Sequence, residues 1–140
     1  MNAVLDRSKV MTAEEFRRGL GDAFDVVKCN SAELGLGDTT PVGIFLAGAS
    51  PYGCLDMAGN VWEWTRSLWG EDWEKSTFQY PYNPKDGREQ IDAPDHALRV
   101  LRGGAYWDYQ RIARCAFRYR NVPLVRDVSF GFRVVVRPQL

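Results

Sequence analysis

The chain reads as an α+β domain of low helical content, in which short strands are separated by abundant irregular loops. Five tryptophans and 13 glycines in 140 residues point to loops held by aromatic clusters. Turn-forming residues recur from Phe24 to Ala49, and apolar–polar alternation of strand period returns only in short runs. The length fits one domain, and a chain of this size buries roughly two-thirds of the surface that its unfolded form exposes.

Thr12-Ala13-Glu14-Glu15 opens a short helix. The Thr12 hydroxyl can accept from the third helical amide while Glu15 reaches back to the Thr12 amide. Phe16 and Leu20 share one face and Gly21 ends it. Asn30-Ser31, Gly35, Gly37-Asp38, Pro41, Gly43 and Gly48 then mark successive turns. Gly59-Asn60 makes a tight turn, because both residue types tolerate positive φ. It feeds Trp62-Glu63-Trp64-Thr65, whose alternation sends the tryptophans to one face, as core anchors, and Glu63 to the other. Leu68 to Pro94 is polar, carries Pro81, Pro84 and Asp86-Gly87, and reads as a long surface excursion. Two further strands are expected, His96 to Arg102 and Phe130 to Val136.

Eighteen basic and 18 acidic residues cancel, so no global field favours nucleic acid or an anionic membrane. No apolar run approaches the ~20 residues of a membrane span. Met1 to Val10 lacks the apolar stretch of a secretory signal, so a cytoplasmic location is expected, with surface display through a larger assembly as the alternative. Cys29, Cys54 and Cys115 form no CxxC pair, and mostly buried, reduced thiols are expected. Arginine is dense from Arg99 to Arg126 with no lysine among them. Beside aromatics that pattern favours hydrogen bonding to loop carbonyls and carboxylates over a nucleic-acid patch.

Four blocks in order carry a resemblance: Thr39-Thr40-Pro41-Val42-Gly43, Pro51 to Thr65, Arg99-Val100-Leu101-Arg102-Gly103-Gly104, and Gly131-Phe132-Arg133-Val134-Val135. Over about residues 24 to 137 the chain resembles the formylglycine-generating enzyme (sulfatase-modifying factor) family. The resemblance implies a C-type-lectin-like fold with a sparse, twisted antiparallel sheet, two helices and long loops, abbreviated on its N-terminal side. Residues 1–23 are then an N-terminal extension with a short helix, and 24–140 the C-terminal portion of such a domain.

Catalytic members of that family hold copper with two cysteines just past the Gly-Gly pair. Here the matching stretch, Ala105 to Ala113, contains none. Monovalent copper takes soft thiolate or thioether ligands, which Asp108 and Tyr109 do not replace, so copper is not expected. Some members bind calcium near the Gly59-Asn60 turn, and Asn60 and Glu63 are the matching oxygen ligands. For Glu63 a structural ion pair with Arg102, Arg114, Arg118 or Arg133 is the favoured role. His96, the one histidine, is read as a surface residue.

The segment between Arg102-Gly103-Gly104 and Gly131-Phe132-Arg133 has neither helical nor strand period. It most resembles the corresponding segment of the variable proteins of diversity-generating retroelements, bacterial or phage display scaffolds built on this same domain. That resemblance implies a non-catalytic domain binding a protein or other macromolecular ligand through about residues 105–129. Tyr106, Trp107, Asp108, Tyr109, Ile112, Val122, Leu124, Val125 and Asp127 are the expected contacts, with core packing the competing role for Ile112, Val122, Leu124 and Val125. Rigid aromatics give large contact area at small entropic cost. The alternatives are a formylglycine-generating-type oxidase, or an inert structural fragment that pairs with itself to complete its core.

Overall fold

A computed structural model describes residues 24–136. The helix expected between Thr12 and Gly21 lies outside the described residues. Four strands form one sheet: β1 (Trp62–Gly70), β2 (Leu98–Arg102), β3 (Tyr119–Asn121) and β4 (Phe130–Gly131), in the order β3-β2-β1-β4. The helical content of the described residues is three short 3₁₀ turns, Val26–Lys28, Ala32–Leu34 and Leu46–Gly48.

β1 and β2 pair antiparallel with Glu63 opposite Arg102 and Trp64 opposite Leu101, and β2 pairs antiparallel with β3. β4 departs from the antiparallel expectation and runs parallel to β1, with Trp62 opposite Phe130. It is also shorter than the expected Phe130–Val136. Val134, Val135 and Val136 have strand composition but are exposed and carry no ladder. A strand needs a neighbour for its amides, and composition alone does not supply one.

Alternation along the strands divides the core between two faces. Trp62, Leu101 and Ala105 pack on one, with Trp64, Ile112, Phe117, Tyr119 and Phe130 against them. Trp69, Leu98 and Val100 pack on the other, with Val122 beside them. The tryptophan pair is thus the anchor that its spacing predicts. Trp62 lies 5.2 Å from the Tyr119 ring, and Trp64 meets Phe130 edge-on at 5.7 Å.

The turn before β1 is as the sequence requires, with φ of 73° at Gly59 and 67° at Asn60. A side chain at Gly59 would place its Cβ 2.1 Å from the Asn30 carbonyl oxygen. That close approach lets the Asn60 amide donate to Asn30 O and the Gly59 amide to Gly103 O, both at 2.8 Å. The early loops are thereby stitched to the Gly-Gly segment that follows β2. The excursion, irregular from Glu71 to Ala97, lies over the second face, where its Tyr80, Tyr82 and Arg88 meet Thr65, Ser67, Val100 and Arg102.

Candidate functional site

The segment from Ala105 to Ala113 leaves β2 as a chain of tight turns. The Asp108 amide donates to Ala105 O, and the Ile112 and Ala113 amides both donate to Tyr109 O. Asp108 pins the loop from inside: its carboxylate accepts from the Ala105 amide at 2.9 Å and from the Trp62 side chain, while its carbonyl accepts from Ala32. Burial holds its pKa above the ordinary aspartate value, against the Ala105 and Trp62 hydrogen bonds that lower it. Trp107 and Tyr109, on either side of Asp108, are 46% and 62% exposed. Tyr106 is half-buried, its amide donating to Asn60 O and its ring 4.8 Å from that of Trp107.

Sequence reasoning placed nine contacts in this region, and the structure divides them. Trp107, Tyr109, Leu124 and Val125 are exposed. Ile112 and Val122 are half-buried, and each packs against a core cluster, and a different one. Asp108 is committed to its own loop. Asp127 likewise serves its own turn: the Ser129 hydroxyl and amide both donate to it, and they hold its carboxyl below the usual range. The side chains at 107–109 and 124–125 belong to separate turns.

Glu33 is a residue that sequence reasoning missed. It accepts from the Gln110 amide at 2.8 Å and from the Ser31 hydroxyl, bracing the 105–113 loop from across the fold. Burial raises its pKa, but those two donors outweigh it and bring the carboxyl below its usual range. The Ser31-x-Glu33 spacing hints at the local bond, but nothing in the chain signals a partner 77 positions away.

The residues matched to metals in the family do not fit metal here. Asn60 is buried, and its Oδ1 already accepts from Asn30 Nδ2, the Thr40 amide and the Thr40 hydroxyl. Glu63 is spanned by the Arg133 guanidinium, which also donates to Leu55 O and Asp56 O. Glu63 thus has the ion-pair role, with Arg133 as its donor. Asn30 Oδ1 is a buried oxygen left without a partner among the described residues, yet calcium takes at least six oxygens. The three cysteines are unpaired. Cys115 donates its thiol to Met57 O, and burial raises the pKa of Cys29 and of Cys115, away from the thiolate that copper prefers. Cys54, against the expectation of buried thiols, is exposed. Among the described residues no three His, Cys, Asp or Glu side chains gather as a metal site. His96 is exposed, on a cleft of about 840 Å³ that Trp73 and Phe78 also line. No helix of the described residues is long and apolar enough to cross a membrane.

The arginines between 99 and 118 mostly bind carbonyls, as their company with aromatics predicts. Arg99 donates to Arg66 O and Ile91 O, Arg102 to Ala116 O, and Arg118 to Phe78 O.

Comparison with known proteins places this geometry. A Chlamydia caviae protein named serine/threonine-protein kinase pkn1 is 38% identical over 96 residues, 69% of this chain and 14% of that protein. The formylglycine-generating enzyme of Mus musculus is 32% identical over 107 residues, 74% of the chain and 26% of its own length. Hercynine oxygenase of Mycolicibacterium smegmatis is 38% identical over 95 residues, covering 67% and 22%. The chain thus spans about a quarter or less of the length of these relatives. Among solved structures, PvdO from Pseudomonas aeruginosa shares the fold, with a TM-score of 0.57 at 24% identity over 86% of this chain and 48% of that one. The family described as "Sulfatase-modifying factor enzyme 1-like domain" matches residues 6–138, nearly the whole chain. The chain therefore belongs to the sulfatase-modifying factor enzyme 1-like domain family.

Proposed function

We propose that this chain is a non-catalytic ligand-binding display domain, resembling the variable proteins of diversity-generating retroelements, with a protein as its ligand. Contact is made within residues 105–129, principally by Trp107 and Tyr109. The observation that carries this reading is the alternation at 107–109: two large aromatics stand in solvent on either side of an aspartate that fixes their backbone. Such a loop needs little ordering when it binds, and cutting that cost is what makes a rigid aromatic surface effective. Leu124, 71% exposed, and Val125 add apolar area from the second turn.

The test begins by selecting a protein binder to the immobilised domain, then measuring its affinity for a Trp107→Ala/Tyr109→Ala double variant. An anchor of ~2 kcal/mol corresponds to about 30-fold in Kd, so the double variant loses on the order of a thousandfold. Its far-ultraviolet circular dichroism and Tm stay close to those of the parent, since neither ring belongs to a core cluster. Unaltered affinity in a folded double variant rejects the reading.

The names of the relatives favour a second reading, oxidation of a cysteine-containing peptide as in formylglycine-generating enzymes. That reading predicts turnover of such a peptide when copper is added. Turnover that persists in a Cys29→Ser/Cys54→Ser/Cys115→Ser variant would trace to contaminating metal, whereas turnover that depends on those thiols would replace the display reading.

A further inference from the structure

The second face of the sheet carries more positive charge than its neighbours neutralise. Thr65 from β1, Arg102 from β2 and Arg118 at the entry to β3 reach this face, and Tyr80, Tyr82 and Arg88 of the excursion close over it. They enclose a pocket of about 230 Å³, roughly eight times the share of one water molecule in the liquid. Arg88 is neutralised by Asp86 at 2.6 Å. Among the described residues neither Arg102 nor Arg118 forms an ion pair with a carboxylate. Arg102 donates to the carbonyls of Cys115, Ala116 and Phe117 and to the Tyr80 hydroxyl. Arg118 donates to Phe78 O and the Ser76 hydroxyl. The ion pairs of the described residues are Arg66–Glu89, Arg88–Asp86 and Arg133–Glu63. Glu89, which accepts from the Ser67 and Tyr82 hydroxyls at the pocket's edge, has Arg66 as its cation partner, and Glu63, opposite Arg102 across the strands, is held by Arg133.

Both unpaired guanidiniums lie over the Tyr80 ring, at 5.9 and 5.8 Å from its centroid. A cation–π contact offsets only part of the cost of holding two like charges in a partly desolvated space. That cost is visible at Arg118, whose pKa is pushed down by burial first and by the charge of Arg102 next. In a chain of zero net charge, such a local excess suits an anionic guest.

We propose that this pocket binds a small multi-oxygen anion, a phosphate or carboxylate group. Arg102 and Arg118 supply the charge, and the Tyr80 hydroxyl and the rings of Tyr80 and Tyr82 supply its walls. Guanidinium forks match the planar or tetrahedral oxygens of such groups. The pocket admits a headgroup and excludes a whole nucleotide. The site does not use Trp107 or Tyr109, so it stands or falls separately from the display reading.

The experiment is calorimetric titration and thermal unfolding of the full chain with inorganic phosphate and, separately, acetate, each against chloride at equal ionic strength. Saturable one-site binding of either anion, with a Tm rise beyond that in chloride, is expected, and the tighter of the two names the headgroup. Arg118→Lys keeps the charge but loses the fork, and is expected to weaken binding at least tenfold. Should that variant fail to fold, Tyr80→Glu decides, because Tyr80 is 62% exposed and the substitution builds a carboxylate between the two arginines. It is expected to raise Tm in chloride and abolish the response to added anion. A wild-type response no greater than that to chloride, or an undiminished response in Tyr80→Glu, overturns the proposal.

Discussion

Asp108 illustrates how one side chain can look like a ligand contact and serve as a brace. In sequence it sits between two aromatics, where an aspartate reads as a directional polar contact. In the fold it satisfies the amide of the fully buried Ala105. Because its folded pKa is raised, the native state holds the proton more tightly than the unfolded chain does. Stability therefore declines as pH rises from the ordinary value near 3.8 through the raised folded value, and is level above it. Asp108→Asn keeps an acceptor for Ala105 and removes the titration. Urea unfolding from pH 3 to pH 7 is expected to show wild type losing stability relative to the Asn variant across that window. Asp108→Ala leaves the Ala105 amide unsatisfied and is expected to cost about 1–3 kcal/mol at any pH in the series. The identity of Trp62 and Trp64 as anchors was legible from spacing alone. The duties of Asp108, Asp127 and Glu33 were not, because each is set by an amide or hydroxyl that a loop brings to it.

At the scale of elements, the starts of β1 and β2 and the turns around them follow from alternation and from glycine placement. The glycine pair after β2 is a packing requirement as well as a turn. Gly104 has φ of 75°, and a Cβ there would stand 2.6 Å from Ala113 Cα. Gly104→Ala adds left-handed strain of about 1–2 kcal/mol to a backbone clash. A loss of at least ~2 kcal/mol in equilibrium unfolding is the expected result, with displacement of the 105–113 loop seen as changed Trp107 fluorescence. A loss below ~0.5 kcal/mol would show that the loop yields without cost. The two-residue length and parallel direction of β4 escaped the sequence because Phe132 and Val134 to Val136 carry strand composition beyond the pairing. The limit is set by the neighbour: β1 offers β4 partners at Trp62 and Glu63 only.

For the molecule as a whole, polar and apolar surfaces are unevenly shared. Phe132, Val134, Val135 and Val136 are exposed at 75–87%, beside a sequence pI of about 6.6. Apolar surface without net charge favours association. Sedimentation velocity near pH 6.6 is expected to show a mass that rises with concentration, and Phe132→Lys/Val135→Lys to restore a monomer. Mass independent of concentration in the parent would show that these side chains are shielded in solution. The arginine-for-carbonyl pattern was legible at this scale from composition, whereas the pocket over Arg102 and Arg118 was not, since it needs the excursion folded back over the sheet.

The split between braced and exposed side chains at 106–109 and 122–125 has an evolutionary corollary. Positions 107, 109, 124 and 125 hold up no backbone and fill no core, so mutation can sample them broadly while the parent architecture survives. Positions 108, 112 and 122 offer less latitude, because each holds a loop or packs on a core cluster.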